Sequence, residues 1–337
     1  MAMELRKVQM TGGSSFILTL PKDWADSVHL VKNEPLGVLV QPDGSLLITK
    51  NLSQEAVQRV KWFDASEIKD PVFLFRLLIG AYIAGYTTVE IFSKGRLSPE
   101  ARKAMRDFTR MTIGPEVTEE TDTSIIAKDL LNPTEMPLEK TIQRMATIVK
   151  NMHVDAILAL ETKNHALIDD IVNRDHDVNR LNWLVARQKN IILRNTSIAK
   201  KLGISIPAVI NLFLTSRIIE RIGDHAVRIA ENVRIILHEG LDEEIIPAIR
   251  TASVHSQKLF EGSLAAFFSN DSRASHKIIE ELKSFEKQCS KITTFAVEQQ
   301  VTTAIAISYV AESIRRTGEY SADISENAIN YHVDISG

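Results

Sequence analysis

The last 200 or so residues of this 337-residue chain repeat themselves, and that repetition limits the fold more than any other feature. Three segments with helical periodicity, Leu138 to Leu160, His165 to Ile192 and Pro207 to Leu237, end at Gly240. The pattern then recurs over Ile245 to Phe268, Ser272 to Gln299 and Thr302 to Tyr331, with Asn270-Asp-Ser272 as a capping turn. Superposing the third segments lays Arg221, Gly223, Asp224, Glu231 and Asn232 on Arg316, Gly318, Glu319, Glu326 and Asn327. Long helices joined by short turns pack antiparallel. The expected fold is mainly α, a tandem pair of three-helix bundles spanning 133–240 and 241–333.

At about 100° per residue, Ile222, Ala226, Ile229 and Val233 form one apolar stripe on the third helix. Glu220, Asp224 and Glu231 gather opposite it. Two acids one turn apart cost a helix roughly 0.2–0.5 kcal/mol unless a positive group lies between them. Arg217, Arg221 and Arg228 are one source, as ordinary surface pairs. A cation with hard oxygen ligands is the other: iron, zinc, magnesium or manganese.

The run Glu220-Arg-Ile-Gly-Asp-His-Ala226, followed by Ile229-Ala-Glu231, resembles the E/D-x-x-x-D signature of the PhoU phosphate-uptake regulators. The resemblance implies multinuclear metal clusters on paired helical bundles, with Glu220, Asp224 and Glu231 as ligands. In the second repeat Arg315 stands where Glu220 would align, and an arginine repels a cation. Glu319 with Asp323 forms a similar pair one turn further on, and Glu326 keeps its place on the stripe. On the second helix of the first repeat, Asp177 points away from the Leu167, Ile171 and Val178 stripe and is the expected further ligand. Asp175 falls nearer the core, and Asn179 stands where the family usually has an acid. His225, about 100° from Asp224, reads as a neighbour and not a ligand.

Residues 1–50 read as short strands around a helical turn opened by Pro21, with a hairpin signal at Asp43-Gly44. So small a module buries little by itself, so a homodimer or higher oligomer is expected. The run Gly13 to Trp24, with the later hairpin, is similar to SpoVT/AbrB-type swapped-hairpin domains. That resemblance implies interlocked chains and, in many members, DNA binding, for which Arg6, Lys7 and Lys22 are the candidates. Arg6, Lys7, Lys22, Lys32 and Lys50 are offset by Glu4, Asp23, Asp26, Glu34 and Asp43. Because phosphate neutralisation dominates DNA affinity, pure dimerisation and DNA binding both stay open.

Residues 51–132 suggest a short α/β insert. It has a short helix or linker over Asn51 to Phe63, an apolar helix over Phe73 to Tyr86 and a strand over Thr88 to Phe92. A helix capped by Ser98 then runs through Met111, and one or two strands fall within Glu116 to Ile126. Ser93-Lys-Gly-Arg96 lacks the glycine spacing of a phosphate-binding loop and reads as a turn.

A net charge of −3 gives no general attraction to nucleic acid or anionic membranes. Cys289 is the single cysteine, which excludes an intrachain disulfide and cysteine-rich metal sites and fits a reducing cytoplasm. The longest apolar run, Leu77 to Tyr86, is shorter than the ~20 residues that cross a bilayer, so stable membrane insertion is not expected. No Glu-x-x-His pair marks a ferritin-like centre, and no nucleophile, base and orienting group form a catalytic set. The chain therefore reads as a regulator and not an enzyme. The PhoU resemblance implies negative control of a Pst-type phosphate ABC transporter through its ATPase subunit. The alternative is an AbrB-type transcription regulator of phosphate-responsive genes.

Overall fold

The computed structural model describes residues 4–40, 44–50, 58–131 and 136–335, and divides the chain into two compact units, 1–57 and 58–337. In the first, β1 (Gln9–Thr11) pairs antiparallel with β2 (Ser15–Ile17), α1 (Lys22–Ser27) follows, and β3 (Gly37–Val40) pairs antiparallel with β4 (Leu46–Thr49). The turn signal Asp43 lies outside the described residues, while Gly44 adopts the left-handed φ of 80° that a side chain disfavours. No described side chain of this unit is buried. Val8, Met10, Phe16, Val38, Val40 and Leu46 are each more than half exposed.

The second unit begins with a two-layer α/β region. Strands β5 (Val60–Asp64), β6 (Thr88–Phe92), β7 (Pro115–Glu120) and β8 (Ser124–Asp129) form one sheet in the order β5-β6-β8-β7. Helices α2 (Pro71–Ile83) and α3 (Pro99–Met111) supply the second layer. Asp70 caps α2 by accepting from the Val72 N–H, and Ser98 caps α3 by accepting from the Ala101 N–H. Val89, Ile91, Ile125 and Ala127 alternate along β6 and β8 and are buried in one core with Leu78, Tyr82, Met105 and Phe108. One expectation is corrected here. Val60 to Phe63 is neither helix nor linker but strand β5, parallel to β6, with Val60 opposite Thr88. Its β-branched and aromatic residues suit a parallel strand, whose partner lies far along the chain.

The remaining helices are α4 (Leu138–Thr162), α5 (His165–Arg194), α6 (Thr196–Leu202), α7 (Ile206–Glu239), α8 (Ile246–Ser269), α9 (Ser272–Ala296) and α10 (Val301–Ile335). The six long ones fall where the periodicity puts them, and the short α6 is additional. Left-handed residues close α4 at Lys163 and α8 at Asn270, after which Asp271 caps α9 by accepting from two backbone N–H groups. In each repeat the third helix packs on the first two, and α7 also packs along α10.

The two repeats share one core. Ile142, Ile222 and Ile229 of the first belong to the same buried cluster as Phe260, Ile314 and Ile324 of the second. Polar ties cross the seam. Asn327 donates to the Asn211 carbonyl at 3.1 Å and to Thr215 Oγ1 at 2.9 Å, and Thr303 donates to the Gly240 carbonyl at 3.2 Å. Buried His153 of α4 shares a 3.0 Å hydrogen bond with Ser253 of α8. The partner positions show that α7 and α10 run antiparallel.

Candidate metal centre on the helical bundle

Helix α7 buries Ile222, Ala226, Ile229 and Val233 completely, which turns Glu220 and Asp224 toward the rim of the bundle. Helix α5 runs antiparallel beside it. Ser216 Oγ donates to Asn182 Oδ1 at 3.3 Å, Arg234 pairs with Asp169 at 2.7 Å, and Gly223 lies beside the Val178 side chain. This register brings Asp175 level with Asp224.

Three carboxylates therefore crowd the α5–α7 seam. Loss of solvent, reinforced by the Asp224 charge, holds Glu220 above the usual carboxylate range, with Arg217 opposing. Asp175 is raised the same way, by burial first and then by Asp224. Asp224 is raised by desolvation against the pull of Arg217, Arg228 and Arg221. The nearest counter-charge, Arg217, reaches Glu220 at only 3.7 Å. Asp175 accepts from Asn179 at 2.8 Å through Oδ2, while its buried Oδ1 accepts nothing.

In charge and donor type this set fits a hard cation: oxygen ligands, mutually repelling, with a bare acceptor among them. Among the described residues no three His, Cys, Asp or Glu side chains converge closely enough to hold an ion as they stand. A cation there would have to draw the carboxylates inward.

The other predicted ligands lie elsewhere. Asp177 is exposed and pairs with Arg180 at 3.5 Å, so Asp175, not Asp177, is the acid that α5 presents to Asp224. Glu231 is exposed two turns beyond Asp224. Glu319 is held by Arg315 and Arg316, the latter at 2.9 Å. Asp323 is raised by desolvation and then by the charges of Glu326 and Glu319, with Arg221 and Arg316 opposing. His225 faces Tyr320 across the α7–α10 seam, ring centroids 5.7 Å apart, and burial lowers it to about 4. In the N-terminal unit Arg6 pairs with Glu4 at 2.5 Å, and Lys7 and Lys22 are exposed.

The helical part is a duplicated three-helix bundle with acids along the α5–α7 seam of its first repeat. Comparison with known proteins makes this specific: the PhoU domain family matches residues 142–233, and the MazE family, described as antidote-toxin recognition, bacterial antitoxin, matches residues 9–54. The chain carries a PhoU domain in its helical part and a MazE/AbrB-like domain at its N-terminus. It is 24% identical over 199 residues to the phosphate-specific transport system accessory protein PhoU homolog 1 of Thermotoga maritima, covering 57% of this chain and 84% of that protein. Among solved structures it resembles PhoU from Pseudomonas aeruginosa, with a TM-score of 0.52, 20% identity, and coverage of 58% of this chain and 95% of that one. It also resembles the phosphate transport system regulatory protein PhoU from Streptococcus pneumoniae, with a TM-score of 0.50, 19% identity, and coverage of 58% and 94%. Among the described residues no helix is long and apolar enough to cross a membrane.

Proposed function

We propose that the protein is a negative regulator of phosphate uptake that holds iron, zinc, magnesium or manganese at the α5–α7 seam. It acts by contact on the ATPase subunit of a Pst-type phosphate ABC transporter. The observation that carries this reading is a coincidence of place. The PhoU match over 142–233 contains Asp175, Glu220 and Asp224, crowded acids whose nearest counter-charge, Arg217, stands 3.7 Å from Glu220. The Thermotoga maritima relative, named as an accessory protein of phosphate-specific transport, supports the biological role. A bound cation would offset the mutual repulsion of the acids and pin α5 to α7; Asp175, Glu220 and Asp224 would hold it.

The test is elemental analysis of purified protein together with capture of the transporter ATPase subunit. Glu220→Ala with Asp224→Ala should lose most bound metal while keeping its helical circular dichroism. Unchanged metal content returns these acids to the role of surface pairs, and failure to capture the ATPase removes the contact mechanism.

One observation favours a second reading, an AbrB-type transcription regulator. Within the unit that matches the MazE family, Lys7 and Lys22 are exposed and make no ion pair among the described residues. Two copies related by symmetry would align them for phosphate contact. Promoter binding that survives competitor DNA at physiological salt, and is lost on Lys7→Ala with Lys22→Ala, selects this reading.

A further inference from the structure

The register that lays Gly318 on Gly223 also lays Glu312, Arg315, Arg316 and Glu319 on Arg217, Glu220, Arg221 and Asp224. Acid and arginine have changed places across one helical turn, and the consequence differs sharply between the repeats. In the first, Arg221 leaves the acids and lies over the Tyr320 ring, 6.0 Å from its centroid, while Arg217 touches Glu220 only at 3.7 Å. In the second, Arg315 grips Glu312 with two donors at 2.8 Å each and reaches Glu319 with a third. Arg316 donates to Glu312 at 3.1 Å and to Glu319 at 2.9 Å. Each carboxylate accepts from both guanidinium groups.

We propose that the repeat-2 counterpart of the Glu220–Asp224 position takes no metal because Arg315 and Arg316 fill the cation's place, leaving the seam of repeat 1 as the single metal centre of the two aligned positions. Two carboxylates and two guanidinium groups form a closed, neutral cluster on one helix. An incoming divalent ion would add charge to a set already balanced. It would also have to expel groups that, unlike lysine or histidine, cannot give up a proton to make room. The hydrogen bonds from Arg315 further hold Glu312 below the usual carboxylate range, the opposite of what crowding does to Glu220. Glu286 of α9, whose charge Arg315 also feels, adds to the hold.

The count of one centre rests on the reading of repeat 1, and the exclusion of metal from repeat 2 does not. Equilibrium dialysis of the full chain against manganese(II) or zinc(II), followed by elemental analysis, separates them. Glu312→Gln with Glu319→Gln should leave metal content at the native level; a fall to about half overturns the proposal. Arg315→Gln with Arg316→Gln, checked for native circular dichroism, should raise the content about twofold. Placed on the Glu220→Gln, Asp224→Asn background, the same pair should restore metal from none. A folded arginine variant that gains nothing also overturns the proposal. Native protein without metal, combined with gain in the arginine variant, sustains the exclusion and overturns only the centre in repeat 1.

Discussion

Gly318 lies against buried Phe285. A Cβ built on it would come within 2.6 Å of the ring's Cδ1 and closer still to its Cε1, and the ring is fully buried. Gly318→Ala should therefore cost about 1–3 kcal/mol in urea unfolding. Gly223→Ala should be near neutral, because its new methyl meets only Val149 and Val178 at 3.2 and 3.5 Å and helix propensity returns about 1 kcal/mol. Equal costs at the two positions would refute this packing account. The repeated glycines were legible in the sequence as matched positions, but their purpose was not, since it depends on which ring or methyl the neighbouring helix presents. The acids carry a related lesson. Helical periodicity selects Asp177 because it points farthest from the apolar stripe, whereas the acid of α5 that feels Asp224 is Asp175, at the flank of the stripe.

At the scale of elements, α5 does two jobs. Its first half presents Asp175, while its second half holds the α/β region. Arg187 pairs with Asp129 at 2.5 Å, donates to the Tyr82 carbonyl and lies over the Tyr82 ring, all nearly out of reach of water. Asn190 donates to the Ile83 carbonyl at 2.8 Å, and Trp183 packs into the α/β core. Arg187→Leu strands a buried carboxylate and should destabilise by about 3–5 kcal/mol. Asp129→Asn added to it removes that charge and should recover part of the loss in a double-mutant cycle. A simple sum of the two single effects would mean that the ions do not act as a pair. The helices themselves were readable from periodicity and caps. This docking was not, because the partners are far apart in sequence and neither alone signals the other. Strand β5 escaped for the same reason.

At the scale of the molecule, the N-terminal unit has none of its described side chains buried, Phe16 and Val40 being 75% and 66% exposed. A lone copy has no interior to offset its lost chain entropy. A truncated chain beginning at Gln58 should fall to a smaller assembly by light scattering, and an unchanged mass would show that residues 1–57 are not the main contact. The bundle has the opposite character. One core runs through both repeats, and Asn327 and Thr303 tie α10 to α7. A close-packed interior resists gradual deformation, and α5 runs as one helix from Asp175 to Arg187, 12 residues and about 18 Å farther along it, where the α/β region is held.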